Sequence, residues 1–419
     1  MRDQKRIVIV GGVAGGAAAA ARARRLSEEA EIVLFERGEH VSFANCGLPY
    51  HIGGVIADRK RLLVQTPESL HKRFGIDVRV DTEVVRIDRQ QQEVVAVDRK
   101  AGGEYRQRYD ALILSPGAEP VRPPIPGVLG PCVLALRNMA DMDAINGVLD
   151  REKPQRAVVV GGGYIGLEMA EALRERQVKT TLVELTEQVM GPADPEMVSP
   201  LHEELGRHGV DLRLCTSVVE FRQHQNGLEV VLDSGEAVAC GLAILAVGVK
   251  PEVKLAREAG LKIGRLGGIV VDEQMRTSDP SIYAVGDAVE VRRLGDGREA
   301  LIPLAGPANR QGRVAADNIF GRGSVYRDTQ GTAICKIFDL AIGMTGLSEK
   351  ALVEAAVPFQ KVYVHPASHA AYYPGATPVS LKLLFDPGDG RILGAQAVGA
   401  DGVDKRIEQI GRASCRERV

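Results

Sequence analysis

Two stretches of this chain follow one plan, and the plan leaves few folds open. Arg6-Ile7-Val8-Ile9-Val10 is a β-branched run ending in Gly11-Gly12-Val13-Ala14-Gly15-Gly16. An alanine-rich helical stretch follows from Ala17 to about Leu26, then a second apolar run, Ile32 to Phe35, ending at Glu36. Later, Ala157 to Val160 leads into Gly161-Gly162-Gly163-Tyr164-Ile165-Gly166, a helical stretch from Leu167 to about Arg176, and Thr181-Leu182-Val183-Glu184. Strand, glycine turn, helix, strand and acidic residue make up a dinucleotide-binding βαβ unit. The glycines let the backbone approach a pyrophosphate, whose charge then faces the N-terminus of the helix. The spacing therefore predicts an α/β fold with two Rossmann-like domains.

The two copies differ in detail. Gly161, Gly163 and Gly166 fill all three positions of the motif, whereas Val13 stands at the second glycine of the first copy. Glu36 and Glu184 close their second strands, each placed to accept hydrogen bonds from a ribose. A carboxylate at Glu184 repels a 2′-phosphate, so NADH is the expected donor, with NADPH as the alternative. A lone glycine turn can be a tight connection with no ligand; two complete units argue for two cofactors with distinct jobs. Ala111 to Leu114 ends in Ser115-Pro116-Gly117, Ala243 to Val247 ends in Gly248, and Tyr283 to Val285 ends in Gly286-Asp287. Prolines 120, 123, 124 and 126 mark a linker between domains.

Bulk properties narrow the function classes. A chain of 419 residues has room for two or three domains. A net charge of −2 gives no case for nucleic acid or an anionic membrane as partner. Aromatics are 4% and Trp is absent, which suits a Gly/Ala/Val-rich α/β architecture rather than a base-stacking surface. The N-terminus passes from charged residues directly into a strand, without the pattern of a leader or a span, so the cytoplasm is the expected compartment. Six cysteines, at 46, 132, 215, 240, 335 and 415, show neither C-x-x-C spacing nor a zinc pattern. Scattered single thiols fit a reducing compartment, and no metal site is expected.

One of these thiols stands apart. Cys46 lies in Ser42-Phe43-Ala44-Asn45-Cys46-Gly47-Leu48-Pro49-Tyr50, just past the first nucleotide unit. A free cysteine can be no more than a small buried hydrophobe. Its place beside a cofactor also admits a redox thiol. Position 51, five residues on, is His51, so no second cysteine is at hand in this segment. A lone thiol can still cycle as a mixed disulfide with an external thiol, or as a sulfenic acid formed by peroxide.

The order GGVAGG, FER, SPGA, GGGYIGLE, AVG and YAVGD resembles that of the flavin-dependent pyridine nucleotide-disulfide oxidoreductases over nearly the whole chain. The resemblance implies FAD on the first unit, held by Gly11, Val13, Ala14, Gly15, Glu36, Arg37, Ser115, Pro116, Gly117, Gly286, Asp287, Pro303, Leu304 and Ala305. It implies NAD(P)H on the second, held by Gly161, Gly163, Tyr164, Ile165, Gly166, Glu184 and Gly248, with Glu168 near the nicotinamide two residues into the helix. SFANCGLPYHIGG is most similar to the coenzyme A-disulfide reductases and NADH-dependent persulfide reductases of that family, as are residues 303–313 and His369-Ala370-Ala371-Tyr372-Tyr373-Pro374-Gly375. Coenzyme A disulfide or persulfide is then the implied substrate. Electrons would pass from NAD(P)H through the flavin to Cys46, whose thiolate a helix dipole and the flavin would stabilise. Tyr372 and Tyr373 would reach across a homodimer toward the partner's thiol site; ordinary interface packing is their other reading.

Coenzyme A carries several phosphates, so its channel needs cations. Arg22, Arg25 and Arg310 are candidates, with Ser42, Asn45 and Asn309 as hydrogen-bonding neighbours; a solvated helix face accounts equally for Arg22 and Arg25. Other readings of the chain are an NADH oxidase or peroxidase using Cys46 sulfenic acid, a ferredoxin- or rubredoxin-type reductase with a structural Cys46, and a non-catalytic flavin sensor. The expected domains are FAD-binding at 1–119 and 252–325, NAD(P)H-binding at 120–251, and an incomplete α+β dimerisation domain at 326–409. Residues 410–419 resemble one reading frame of a common sequencing adaptor, so the natural protein is expected to continue differently past about residue 409.

Overall fold

The computed structural model describes residues 4–224 and 227–416, which form two compact units. The first holds residues up to Ala44, Lys60–Glu119 and Val249–Thr329; the second holds Asn45–Arg59, Pro120–Gly248 and everything from Gln330. The stretch that bears Cys46 thus belongs with the second glycine motif rather than with the first, where chain order alone had placed it.

In the first unit, a parallel sheet runs in the order Ile282–Ala284, Ala111–Leu114, Arg6–Val10, Glu31–Phe35 and Asp77–Arg79. Ile7, Val8 and Ile9 are fully buried, as a central parallel strand covered on both faces requires. That is why the run shows no polar alternation. The helix Ala14–Leu26 packs on the helix Ala305–Ile319 so closely that a Cβ on Gly312 would lie 2.3 Å from the Gly15 carbonyl oxygen. Ala19, Ala20, Ala315 and Ala316 are fully buried along these helices. The alanine content of this segment is a packing requirement.

The second unit repeats the plan, with strands ordered Val210–Arg213, Lys179–Val183, Arg156–Val160, Leu242–Leu245 and Val133–Ala135. It also contains an antiparallel sheet ordered Ala333–Ile337, Leu340–Gly346, Ile392–Gly399, Val379–Phe385 and Gln360–Val364. The helix Val403–Arg416 covers this sheet, with Val403 and Ile407 seated over Gly343. It runs without a break through residue 410, and Ser414 accepts a hydrogen bond from Gln330 Nε2 at 2.6 Å; residues 417–419 lie outside the described residues. Among the described residues, no helix is long and apolar enough to cross a membrane.

Both glycine-turn helices begin earlier than their sequence predicts, at Ala14 and Tyr164 rather than at Ala17 and Leu167. The last motif glycine is already helical in each, because only a residue without a side chain fits there against the preceding strand end. Glu168 is therefore the fifth residue of its helix and stands beyond the first turn, where a carboxylate gains most from the dipole.

Carboxylates tie the nucleotide helices of the second unit to the antiparallel sheet. Glu171 accepts from the Phe338 N–H at 2.9 Å and pairs with Lys336 at 3.1 Å; Glu204 accepts from the Asp339 N–H at 3.0 Å. Asp194 takes the Glu349 N–H at 3.0 Å. Asp194, Glu196 and Glu349 converge as a metal site would, but the fully buried Lys382 ammonium sits among them, at 2.9, 2.5 and 2.6 Å. Burial alone would raise Glu196, yet the bonds from Lys382 and Tyr363 hold its carboxyl down at about 2.

Removing one partner of such a cluster leaves uncompensated buried charge. Lys382→Ala is expected to cost about 3–5 kcal/mol in denaturant unfolding, because the buried Asp194 side chain loses its cation. A depressed carboxyl stabilises the fold above its unfolded value and loses that contribution as pH falls through its folded value. Unfolding midpoints of the native protein should therefore fall from about pH 4.5 toward pH 2. The part of that fall due to Glu196 should be smaller in Lys382→Ala, where Tyr363 still donates to it.

Candidate active site

The first glycine turn builds a cradle. Gly11 has φ +96°, and a Cβ there would sit 2.0 Å from the Ser115 carbonyl oxygen, so only glycine fits. Its N–H donates to the Phe35 carbonyl at 2.8 Å. Val13 caps the helix at φ −96° and ψ −125°, so its φ is negative, unlike that of Gly11. Ala14 opens the helix, and a side chain on Gly15 would meet Ser115 Oγ. Glu36 accepts from the Gly12 and Gly38 N–H groups, both at 2.9 Å, which fixes its carboxylate at the strand end. Ser115, Pro116 and Gly117 follow the neighbouring strand, with Ser115 donating to the Val10 carbonyl at 2.7 Å.

Gly286 and Asp287 lie in a 3₁₀ turn beside this cradle, and the Gly286 N–H donates to Gln311 Oε1 at 2.7 Å. Gln311 is a buried partner that the sequence reading did not single out. Pro303 and Leu304 lead into the helix that Ala305 begins. Arg37 pairs with Glu252 at 3.4 Å. The bare glycine turn, the fixed carboxylate and the strand-end turns fit a dinucleotide such as FAD.

The cationic candidates fare differently. Arg22 is ion-paired to Asp317 at 2.7 Å, so it is neither a solvated nor an uncommitted cation. Arg25 is exposed, 5.6 Å from the Phe74 ring centroid. Arg310 lies 5.9 Å from the Tyr326 ring centroid and lines a cavity of about 460 Å³ together with Arg313, Arg327 and Asp328. The Asn309 carbonyl accepts from Arg313. Ser42 adopts φ +47° and donates its N–H to the Gly12 carbonyl at 2.8 Å.

In the second unit the turn is repeated. Gly161 has φ +104° and donates to the Val183 carbonyl at 2.8 Å. Gly163 caps the helix that Tyr164, Ile165 and the buried Gly166 begin, and Gly248 turns at φ +107°. Glu184 is clamped by the Gly162 N–H at 2.6 Å and by the Thr186 N–H and hydroxyl at 2.9 and 2.8 Å. The carboxylates of Glu36 and Glu184 are thus held in the same way.

Cys46 lies in a 3₁₀ turn, Asn45–Gly47, that runs into the short helix Leu48–Ile52. Asn45 reaches the Arg137 carbonyl at 3.5 Å, and Cys46 is open to solvent on one side. On the other side, protein crowds the thiol. Burial first, then the charge of Glu168, push its pKa up, against a backbone hydrogen bond that lowers it. The thiolate expected from a helix dipole is thus opposed by the chain's own groups, the helix being barely more than one turn long.

Glu168 is itself pushed up to about 7, by burial and by Glu171, while Tyr50 favours its ionised form. Burial and the neighbouring carboxylates raise the Tyr50 hydroxyl and the buried Cys335 thiol as well. Burial takes Tyr164 to about 12. Tyr50 stood inside the quoted NCGLPY run, but nothing in sequence spacing pointed to Cys335. Tyr372 and Tyr373 are 92% and 66% exposed, and no hydrogen bond or ring contact among the described residues joins them to Cys46.

A family model for pyridine nucleotide-disulphide oxidoreductases matches residues 5–312, and the dimerisation-domain model of the same family matches residues 332–414. The chain belongs to this family. The coenzyme A disulfide reductase of Staphylococcus aureus (strain JH9) is 35% identical over 409 residues, 97% of this chain and 91% of that protein. The NAD(P)H coenzyme A polysulfide/persulfide reductase of Pyrococcus horikoshii is 37% identical over 399 residues, 95% and 88% of the two chains. The crystal structure of reduced Bacillus anthracis CoADR-RHD superposes with a TM-score of 0.95 at 50% identity, covering 98% of this chain and 74% of that one. As a member of this family, the protein is an FAD- and NAD(P)H-dependent oxidoreductase.

If the first turn is the FAD cradle, a single methyl group should empty it. Gly11→Ala is expected to purify with less than about a tenth of the native flavin content, because the new Cβ meets the Ser115 backbone. Flavin absorbance per chain measures this directly.

Proposed function

We propose that this protein reduces coenzyme A disulfide or coenzyme A persulfide with electrons from NADH, through FAD and the single thiol Cys46. The observation that carries the reading is one reactive-side cysteine with His51 where a second would stand, in a chain that aligns along nearly its whole length with reductases of those two substrates. An oxidase or peroxidase, and a reductase serving a protein partner, are less supported, because relatives of those kinds share less of this sequence.

FAD, when bound, supplies hydride acceptance and passes the electron pair on. The chain's own residues do the rest. The first glycine turn and Glu36 seat the dinucleotide, and the second turn seats the donor. The clamp on Glu184 presents a fixed carboxylate to a ribose and repels a 2′-phosphate. Cys46 stands solvent-open at the head of its short helix, where a disulfide can approach; its thiolate attacks one sulfur, the other leaves as a thiolate and takes up a proton. Arg310 and its neighbours Arg313 and Arg327 offer positive charge for the phosphates of the substrate, a role that Arg22, paired with Asp317, does not carry alone. Asn45, Ser42 and Asn309 are assigned to the same substrate path.

A second copy of the chain belongs to this reading. Every residue of the strand Gln360–Val364 is exposed, as are Tyr372 and Tyr373, and a partner subunit would cover them. The compartment is the cytoplasm, which suits thiols that are unpaired among the described residues.

Cys46→Ser tests the proposal. It should keep bound FAD and its reduction by NADH while coenzyme A disulfide turnover falls at least about a thousandfold, since no other thiol replaces the nucleophile. Native-like turnover by that variant would overturn it. Steady-state kinetics should also favour NADH over NADPH at least about tenfold in kcat/KM, and Glu184→Ala should narrow that ratio.

A further inference from the structure

Ligating side chains converge at two places among the described residues. At one of them Lys382 already sits among Asp194, Glu196 and Glu349. The other joins Glu204 and His208, at the end of the helix Pro195–Arg207, to Asp339, in the turn between the strands Ala333–Ile337 and Leu340–Gly346. Spacing of i, i+4 puts Glu204 and His208 on one face of the helix, and the His208 backbone N–H still donates to the Glu204 carbonyl at 3.1 Å. Asp339 lies 135 residues from Glu204 in the chain, so no local motif announces the three together.

The distances within this group are those of a coordination shell. His208 Nε2 is 3.2 Å from Glu204 Oε1 and 3.5 Å from Asp339 Oδ2, and one ligand atom from each residue lies within 4.8 Å of the others. A tetrahedral zinc ion with bonds of about 2.0–2.1 Å holds its ligand atoms about 3.3 Å apart. Each ligand is also steadied from outside the group. The His208 ring stacks on Phe338, with centroids 4.0 Å apart and planes 2° apart, and the His208 carbonyl accepts from Arg174 Nε at 2.9 Å. Glu204, buried, takes Arg207 Nη1 on Oε2 at 2.7 Å and the Asp339 N–H on Oε1 at 3.0 Å. Arg207 is also 3.6 Å from Glu203. With His208 neutral, the carboxylates of Glu203, Glu204 and Asp339 outnumber this guanidinium by two, the charge of a divalent ion.

We propose that Glu204, His208 and Asp339 form a binding site for Zn²⁺. Glu204 Oε1, His208 Nε2 and Asp339 Oδ2 supply three ligands, and a water molecule completes the tetrahedron on the side where the Asp339 side chain is 84% exposed. The imidazole carries its ring proton on Nδ1 and turns the Nε2 lone pair to the ion. One imidazole with two carboxylates suits zinc better than magnesium or calcium, which take oxygen ligands alone. The bound ion would clasp the helix Pro195–Arg207 to the turn of the antiparallel sheet, with no part in the chemistry of Cys46.

Calorimetric titration of the metal-stripped, FAD-loaded full chain with ZnCl₂ tests the proposal. Thiols also take zinc, so the site is read as the difference between native protein and variants. His208→Ala should lose one zinc per chain, or bind it at least about tenfold more weakly, since removing a ligand costs no less than removing a ligand's outer hydrogen-bond partner. Asp339→Ala should weaken the same event, and it decides the matter if His208→Ala does not fold. Cys46→Ser should keep the event, and MgCl₂ in place of ZnCl₂ should not produce it.

Native and His208→Ala titrations that superimpose would overturn the proposal and leave His208 as an ion-pair partner only. Loss of the zinc event in Cys46→Ser, with retention in His208→Ala and Asp339→Ala, would place the ion on the thiol and overturn it as well.

Discussion

One buried carboxylate, Glu171, makes the arrangement of the second unit workable. It sits on the helix Tyr164–Glu175 and is satisfied by the Phe338 N–H and by Lys336. Unanswered, that charge would be costly to bury and would work against Glu168 one turn away. Answered, it locks the antiparallel sheet to the same helix that begins at the second glycine turn. That helix also carries Ala172, against which Gly53 rests, and it ends beside Arg176, which holds the Ile52 carbonyl. The second glycine turn, the thiol segment and the C-terminal sheet therefore share one helix.

A thiol held this way is not activated by charge. Burial and then the charge of Glu168 oppose the thiolate, and the following helix is barely more than one turn long. This contrasts with cysteines lowered by an adjacent cation. Lys382 shows the opposite solution. There a buried ammonium gathers three carboxylates, and the cluster holds the fold together without offering a reactive group.

What the sequence disclosed and what it hid divide along a physical line. Gly11 and Gly161 were legible because their constraint is local: a positive φ and a neighbouring carbonyl that excludes any Cβ. Glu36 and Glu184 were legible by spacing, although their clamping by the amides of Gly12 and Gly162 was not. Val13 departs from the motif at a position whose φ is negative. The Arg22–Asp317 pair, the Gln311–Gly286 bond and the Lys382 cluster join residues far apart in the chain. No periodicity announces such contacts. Helix starts were missed by three residues because the final glycine of each motif reads as turn while its backbone is already helical.

The central claim is that Cys46 works as a mixed disulfide with coenzyme A. Mass spectrometry of the purified, non-reduced protein examines it most directly. The Cys46 peptide should carry one coenzyme A, released by a reductant, with no such adduct at Cys132, Cys215, Cys240 or Cys335. A Cys46 peptide bearing only added oxygen, or one that stays bare after exposure to coenzyme A disulfide, would contradict the account.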